Sequence, residues 1–113
     1  TQKGAIHTAL IYIQSHYTSN LSLHDVATQV FLSDSYFSRL FHQQTGMKFK
    51  RYLSNLRLAY AAKLLRASSF SITEICFDCG FTSYPHFLRS FHEMYGVSPG
   101  EFRNDMVLNK TEP

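Results

Sequence analysis

The stretch Ser22-Leu23-His24-Asp25-Val26-Ala27-Thr28-Gln29-Val30 returns 49 residues later as Ser71-Ile72-Thr73-Glu74-Ile75-Cys76-Phe77-Asp78-Cys79. In each copy a Ser able to cap a helix stands three residues before an acid, Asp25 or Glu74, which is the arrangement of a capping box. Apolar residues then follow at the i, i+3, i+4 and i+7 spacing that lines one stripe of a helix. Such self-similarity marks a repeated supersecondary unit, so the pair predicts two equivalent short helices.

A tight break and a second helix follow each copy. Phe31-Leu32-Ser33 makes the first break, with Ser33 as N-cap. Gly80-Phe81-Thr82-Ser83 makes the second, where Gly80 suits a left-handed turn and Ser83 caps. Downstream, Phe37, Arg39, Phe41, His42 and Gly46 recur at an offset of 50 as Phe87, Arg89, Phe91, His92 and Gly96. The offset has grown by one residue, which predicts a second turn one residue longer. A short helix, a turn of about four residues and a second helix stopped by Gly form the helix-turn-helix pattern.

Working outward, the segment from Phe49 to Ala67 holds no Gly or Pro and is rich in the good helix formers Leu, Ala, Arg and Lys. It predicts one long helix with a single buried face made of Phe49, Tyr52, Leu53, Leu56, Tyr60 and Leu64. At 1.5 Å per residue its length is about 28 Å, comparable to one turn of DNA at roughly 34 Å. Ile6, Ala9, Leu10, Ile13 and Tyr17 mark a leading amphipathic helix. Ser98-Pro99-Gly100-Glu101 combines a capping box with a proline at the first helical position and starts a closing helix through about Asp105. Met106 to Pro113 shows no period and is expected to fray. The reading is all-α: about seven helices arranged as two helix-turn-helix subdomains joined by a long linker helix. The corresponding divisions are 1–47, 48–67, 68–106 and a tail 107–113.

Composition narrows the function. The 113 residues carry a net charge of +3, and 44% are hydrophobic, including ten Phe and seven Tyr. That content suits a folded core, not disorder. No apolar run approaches the roughly 20 residues of a membrane span. Thr1-Gln2-Lys3-Gly4 lacks the apolar core of a signal peptide, so a cytoplasmic setting and no membrane partner are expected, with Thr1 read as the start of a piece cut from a longer protein. Cys76 and Cys79 are too few for a disulfide framework or a complete zinc site. They are read as small buried residues, a redox or half-metal role being the alternative. The six His are scattered, without His-x-x-x-His spacing beside a carboxylate. No enzyme activity, metal or cofactor is expected.

Charge distribution says more than net charge. Between Ser35 and Thr73 stand Arg39, Lys48, Lys50, Arg51, Arg57, Lys63 and Arg66, with no acidic residue. Such a patch suits a polyanion. On the helix after Ser33, the apolar Phe37, Leu40 and Phe41 turn Ser35, Ser38, Arg39 and His42 outward, with Gln43 flanking. Arg39 is the leading candidate for base readout, since a guanidinium can bind guanine bidentately; a surface ion pair with Asp34 or another acid is the alternative. Asp34 itself suits the helix dipole. On the helix after Ser83, inward Phe87, Phe91 and Met94 leave Pro85, Arg89 and His92 outward, with Tyr84 and Leu88 at the edges. Leu88 and Pro85 could meet a thymine methyl or simply pack at the core edge.

The base-reading set is therefore Ser35, Ser38, Arg39, His42, Tyr84, Pro85, Leu88 and Arg89. The phosphate set is Ser33, Gln43, Lys48, Lys50, Arg51, Arg57, Ser83 and His92. Arg57 could equally tie the linker helix to a subdomain, while Lys63 and Arg66 are read as solvated. The second helix is expected to discriminate bases less sharply than the first. Recognition of RNA would need an exposed aromatic platform, and the helical spacing buries most of the rings.

At this level of detail the chain resembles the AraC/XylS-type transcription regulators. The likeness runs from about Ile6 to Arg103. It is carried by Glu74-Ile75-x-x-x-x-Gly80-Phe81, Phe87-x-Arg89-x-Phe91 and Gly96-Val97-Ser98-Pro99-x-x-Phe102-Arg103. Lys48-Phe49 replaces the small polar residue that often starts the linker helix, and Pro85 and Leu88 replace common hydroxyl or amide residues. The resemblance implies a double-stranded DNA-binding domain lying behind an N-terminal effector or dimerisation domain. It also implies recruitment of RNA polymerase, usually as activation. A linker spacing slightly short of a straight DNA turn would bend the duplex toward the protein. An all-helical protein-interaction module with a basic face is the alternative.

Overall fold

The computed structural model describes the backbone of residues 2–111 and the side chains of residues 4–105. Its element order is α1 (Gln2–His16), α2 (Leu23–Gln29), α3 (Asp34–Thr45), α4 (Phe49–Ala67), α5 (Ile72–Asp78), α6 (Tyr84–Tyr95) and α7 (Pro99–Thr111). The described residues form no strand.

Local chemistry sets the helix starts. The Ser22 N–H donates to Asp25 Oδ2 at 3.0 Å and Asp25 N–H donates back to Ser22 Oγ at 3.1 Å. Ser71 and Glu74 repeat the box at 3.4 and 3.1 Å, and Ser98 and Glu101 at 3.2 and 3.1 Å. These bonds draw the Asp25 and Glu101 carboxyls below their ordinary pKa values. By contrast, α4 begins after Lys48, whose ammonium has no acceptor to offer a backbone N–H. Gly46 and Gly96, both left-handed, close α3 and α6.

The chain packs as two compact units, Thr1–Leu56 and Arg57–Pro113. In the first, α1 packs on α2 and α3. Ile6, Ala9, Ile13, Val26, Ala27, Phe37, Phe41, Phe49 and Leu53 make its core. In the second, Leu58, Ala61, Leu65, Ile75, Cys76, Cys79, Phe81, Phe87 and Phe91 do the same, with Phe102 and Tyr95 against them. The division falls inside α4, not at either end of it.

That position corrects the expectation of a single buried face on α4. Phe49 and Leu53 belong to the first core, whereas Leu58, Ala61 and Leu65 belong to the second. The repeat explains the change. Ile6, Ala9, Leu10 and Ile13 of α1 recur at a spacing of 52 as Leu58, Ala61, Ala62 and Leu65. Likewise Phe49 and Tyr52 recur at 50 as Pro99 and Phe102. The Phe41–Tyr52 rings meet edge-on at 5.5 Å, as do Phe91 and Phe102 at 5.5 Å. So α4 closes one repeat with its first half and opens the next with its second.

Three further differences follow from packing. Met94, expected inward, is 44% exposed, because the buried stripe of α6 runs through Phe87, Phe91 and the half-buried Tyr95 and leaves Met94 at its edge. Arg66 is exposed, as expected of a solvated cation, but its guanidinium also lies over the Phe102 ring at 5.3 Å, a contact not expected from the sequence. Finally, α7 continues past Asp105 to Thr111, since no Gly or Pro interrupts that run. Of the expected frayed tail, residues 112 and 113 lie outside the described residues.

The α2–α3 turn spans residues 30–33 and the α5–α6 turn residues 79–83, one residue longer as expected. Corresponding positions carry Gly80 at φ 110° and Phe31 at φ 61°. An L-residue in that region costs roughly 1–2 kcal/mol. Phe31 offsets none of this by burial, being 94% exposed.

Two stability outcomes are expected. Phe31→Gly should raise stability by roughly 0.5–1 kcal/mol, the relief of strain exceeding glycine's entropy cost; an unchanged or lower denaturation midpoint would refute this. The Arg103 guanidinium donates to the Leu65 and Ser68 carbonyls at 3.2 and 3.3 Å, satisfying the end of α4. Arg103→Met should therefore cost about 1–2 kcal/mol in denaturant unfolding. A cost near zero would show that water serves these carbonyls as well.

Candidate nucleic-acid interface

Burial of Phe37, Leu40 and Phe41 fixes which arc of α3 is free. Ser35, Ser38, Arg39, His42 and Gln43 are all exposed on it, following an exposed Ser33 whose Oγ accepts the Tyr36 N–H at 3.2 Å. Lys48, Lys50 and Arg51 are exposed just beyond, in the same unit. From Ser35 to Arg51 no acid interrupts them.

Asp34, the nearby acid that could have neutralised Arg39, is engaged elsewhere. Its Oδ1 lies 2.9 Å from His24 Nδ1, which joins the first turn of α3 to α2. Arg39 instead sits over the Tyr36 ring, 5.9 Å from its centroid. Among the described residues Arg39 thus forms no ion pair with Asp34 or another acid.

The second unit arranges its outer arc differently. Pro85, Arg89 and His92 are exposed on α6, and Ser83 Oγ accepts the His86 N–H at 3.3 Å. Tyr84 and Leu88, expected at the edges of the reading face, are half-buried against the second core. Glu93, where the first unit has Gln43, is exposed one turn after Arg89. Arg57 is half-buried in this unit, and burial lowers its guanidinium pKa, opposed by the Cys79 thiol. That placement favours the structural alternative for Arg57 over phosphate contact.

Three residues outside the candidate sets belong to these surfaces. His24 engages Asp34, Tyr36 lies under Arg39, and His86 is exposed with its ring 5.5 Å from Phe81. A sequence signal existed for the last two: Tyr36 and His86 occupy matching positions, each three residues before the arginine of its helix.

The cysteines fit the core reading. Cys76 and Cys79 are buried free thiols, and burial raises both pKa values, that of Cys79 to about 11. Reactive or metal-binding sulfur needs thiolate, which this environment disfavours. Among the described residues no three His, Cys, Asp or Glu side chains gather as a metal site would require. No helix among them is long and apolar enough to cross a membrane.

Two capped helix pairs, each with the second helix presenting a polar, cation-bearing arc, define the helix-turn-helix class. A family model described as a helix-turn-helix domain matches residues 26–105, and the chain belongs to this family, the AraC/XylS-type regulators. It is 36% identical over 105 residues to the regulatory protein PocR of Salmonella typhimurium, covering 93% of this chain and 35% of that protein. It is 38% identical over 94 residues to the transcriptional activator RhaS of Shigella boydii, covering 83% of this chain and 34% of that protein. Thus the chain spans about a third of the length of these relatives. Among solved structures, the C-terminal domain of AraT, a response regulator from Geobacillus stearothermophilus, superposes with a TM-score of 0.85 at 32% identity, covering 89% of this chain and 84% of that one.

The His24–Asp34 pair gives a pH signature. The hydrogen bond to Asp34 and its charge, with a smaller push from Asp25, raise the His24 pKa above its ordinary 6.5. A raised folded value means that the pair's contribution is complete below pH 6.5 and disappears as pH climbs through the folded value. The stability gap between the parent and His24→Gln should accordingly be widest in mild acid and close in alkali. A gap that stays constant with pH in thermal unfolding would contradict the pairing.

Proposed function

We propose that this chain is the sequence-specific, double-stranded DNA-binding domain of a longer transcription regulator. The observation that carries the reading is the acid-free arc of α3, where Arg39 is exposed with no carboxylate partner among the described residues. Ser35, Ser38, Arg39 and His42 are assigned to base edges, with Ser33, Gln43, Lys48, Lys50 and Arg51 assigned to phosphates. In the second unit Pro85 and Arg89 face bases and Ser83 and His92 face phosphates, while Tyr84 and Leu88 contribute their exposed edges. Arg57 serves mainly to hold α4 in the second unit.

The two recognition helices are proposed to enter successive major-groove segments, α4 setting their spacing. If that spacing falls short of a straight turn, the duplex bends and the cost of bending adds sequence dependence at untouched positions. We assign 1–47, 48–67 and 68–106 as first subdomain, linker and second subdomain of this function. Likeness to an activator and to longer regulators supports three further assignments: an N-terminal effector or dimerisation domain, RNA polymerase as partner, and activation in the cytoplasm. Buried, protonated thiols support a binding module without catalysis.

Duplexes selected from a random library test the reading. Arg39→Ala should weaken the selected site by ~1–3 kcal/mol and relax preference at one base position. Neutralising Lys48, Lys50 or Arg51 should instead lower affinity for all sequences and reduce the salt slope by about one per contact. Binding indifferent to DNA sequence would sink the proposal in favour of a basic protein-interaction module.

A further inference from the structure

The two arginines at matching positions of α3 and α6 have different supports. Arg39 lies over Tyr36, with its guanidinium carbon 5.9 Å from the ring centroid. Tyr36 is itself a firm platform: its ring is half-buried against the first core and its N–H is held by Ser33 Oγ at 3.2 Å. The acid closest in sequence, Asp34, is occupied by His24 at 2.9 Å and does not draw Arg39 away. Arg89 stands three residues after His86 instead, which is exposed and turned against Phe81 at 5.5 Å. Glu93 follows it at the i+4 position.

We propose that Tyr36 is a positioning residue for base readout, the face of its ring holding the Arg39 guanidinium ready to meet a guanine edge, and that the absence of such a ring beneath Arg89 makes the second helix the weaker reader. This rests on α3 being the base-reading helix. Arginine has a long, flexible side chain, and a bidentate bond to guanine requires one geometry of its planar fork. Order supplied by the protein before binding is not lost on binding. An exposed cation over an aromatic face is attracted strongly enough to matter to discrimination, corresponding to about a two- to fivefold effect.

The test measures affinities for the selected site and for each single-base variant at one salt concentration, alongside Tm. Tyr36→Phe keeps the ring and should leave discrimination at the Arg39 position intact. Tyr36→Leu keeps bulk for the core but removes the ring, and should cut that discrimination about two- to fivefold with the salt slope unchanged. In an Arg39→Ala background the same leucine should have no further effect. Three results would overturn the proposal: Tyr36→Leu matching the parent, Tyr36→Phe falling as far as Tyr36→Leu, or the loss persisting without Arg39.

A gain-of-function arm avoids the first core altogether. His86→Tyr should sharpen preference at the base facing Arg89 by about twofold, and no gain there would overturn the bracing argument. Arg39→Ala separates the levels. If it leaves every base preference unchanged, readout by Arg39 fails and bracing with it; if it relaxes one position while the Tyr36 variants behave as the parent, only bracing fails.

Discussion

The burial of an aromatic stripe along one side of each recognition helix is the constraint on which the rest depends. In the first unit Phe37 and Phe41 are fully buried and their rings meet Phe49 at 6.2 and 6.0 Å. In the second, Phe87 and Phe91 hold the same positions, with Phe81 at 5.3 Å and Phe102 at 5.5 Å. At 100° per residue, anchoring positions i and i+4 leaves the side chains near i+2 and i+5 facing water. Arg39 and His42 are therefore exposed because Phe37 and Phe41 are not. A functional arc of this kind needs no loop to position it, and its precision is that of a helix packed on a core.

The same constraint accounts for the double role of α4. A helix pair with one short member cannot close a core alone, and each unit completes its core with helices on either side of its helix-turn-helix pair. For the first unit these are α1 and the beginning of α4; for the second, the end of α4 and α7. Small residues at Ala9 and Ala61, both fully buried, mark the matching close approaches. One helix is thus shared between two repeats, its first half completing one core and its second half the other.

Much of this was legible in the sequence because the decisive signals are local. Capping boxes at Ser22, Ser71 and Ser98 need only four residues each, and stripes such as Phe37-Leu40-Phe41 need only one turn more. The extra residue in the second turn could be read from an offset that grew by one. What was not legible depends on partners distant in the chain. No local rule places His24 against Asp34 or Arg66 over Phe102, and periodicity extended through α4 joined two stripes belonging to different cores. Met94 sits where the period alone would bury it, but the stripe of α6 is centred toward Tyr95 by contact with Phe91 at 4.6 Å and Phe102 at 5.4 Å. Phe31 was hidden for another reason: its left-handed backbone is the usual province of glycine, and only comparison with Gly80 at the matching position reveals it.

The repeat also clarifies what duplication leaves free to diverge. Many core positions match between the halves, and Phe41–Tyr52 and Phe91–Phe102 share one ring spacing of 5.5 Å, whereas the outward positions differ in chemistry. Gln43 is answered by Glu93, Tyr36 by His86, Ser35 by Pro85 and Ser38 by Leu88. Glutamate in place of glutamine repels phosphate, and proline and leucine in place of serine each remove a side-chain hydrogen-bond donor. Glu93 stands one turn from Arg89, and the proline and leucine side chains offer no hydrogen at all. Packing is thus kept at both places while the outward chemistry diverges. Such a division suits a binder in which one helix selects the site and the other adds contact area and register.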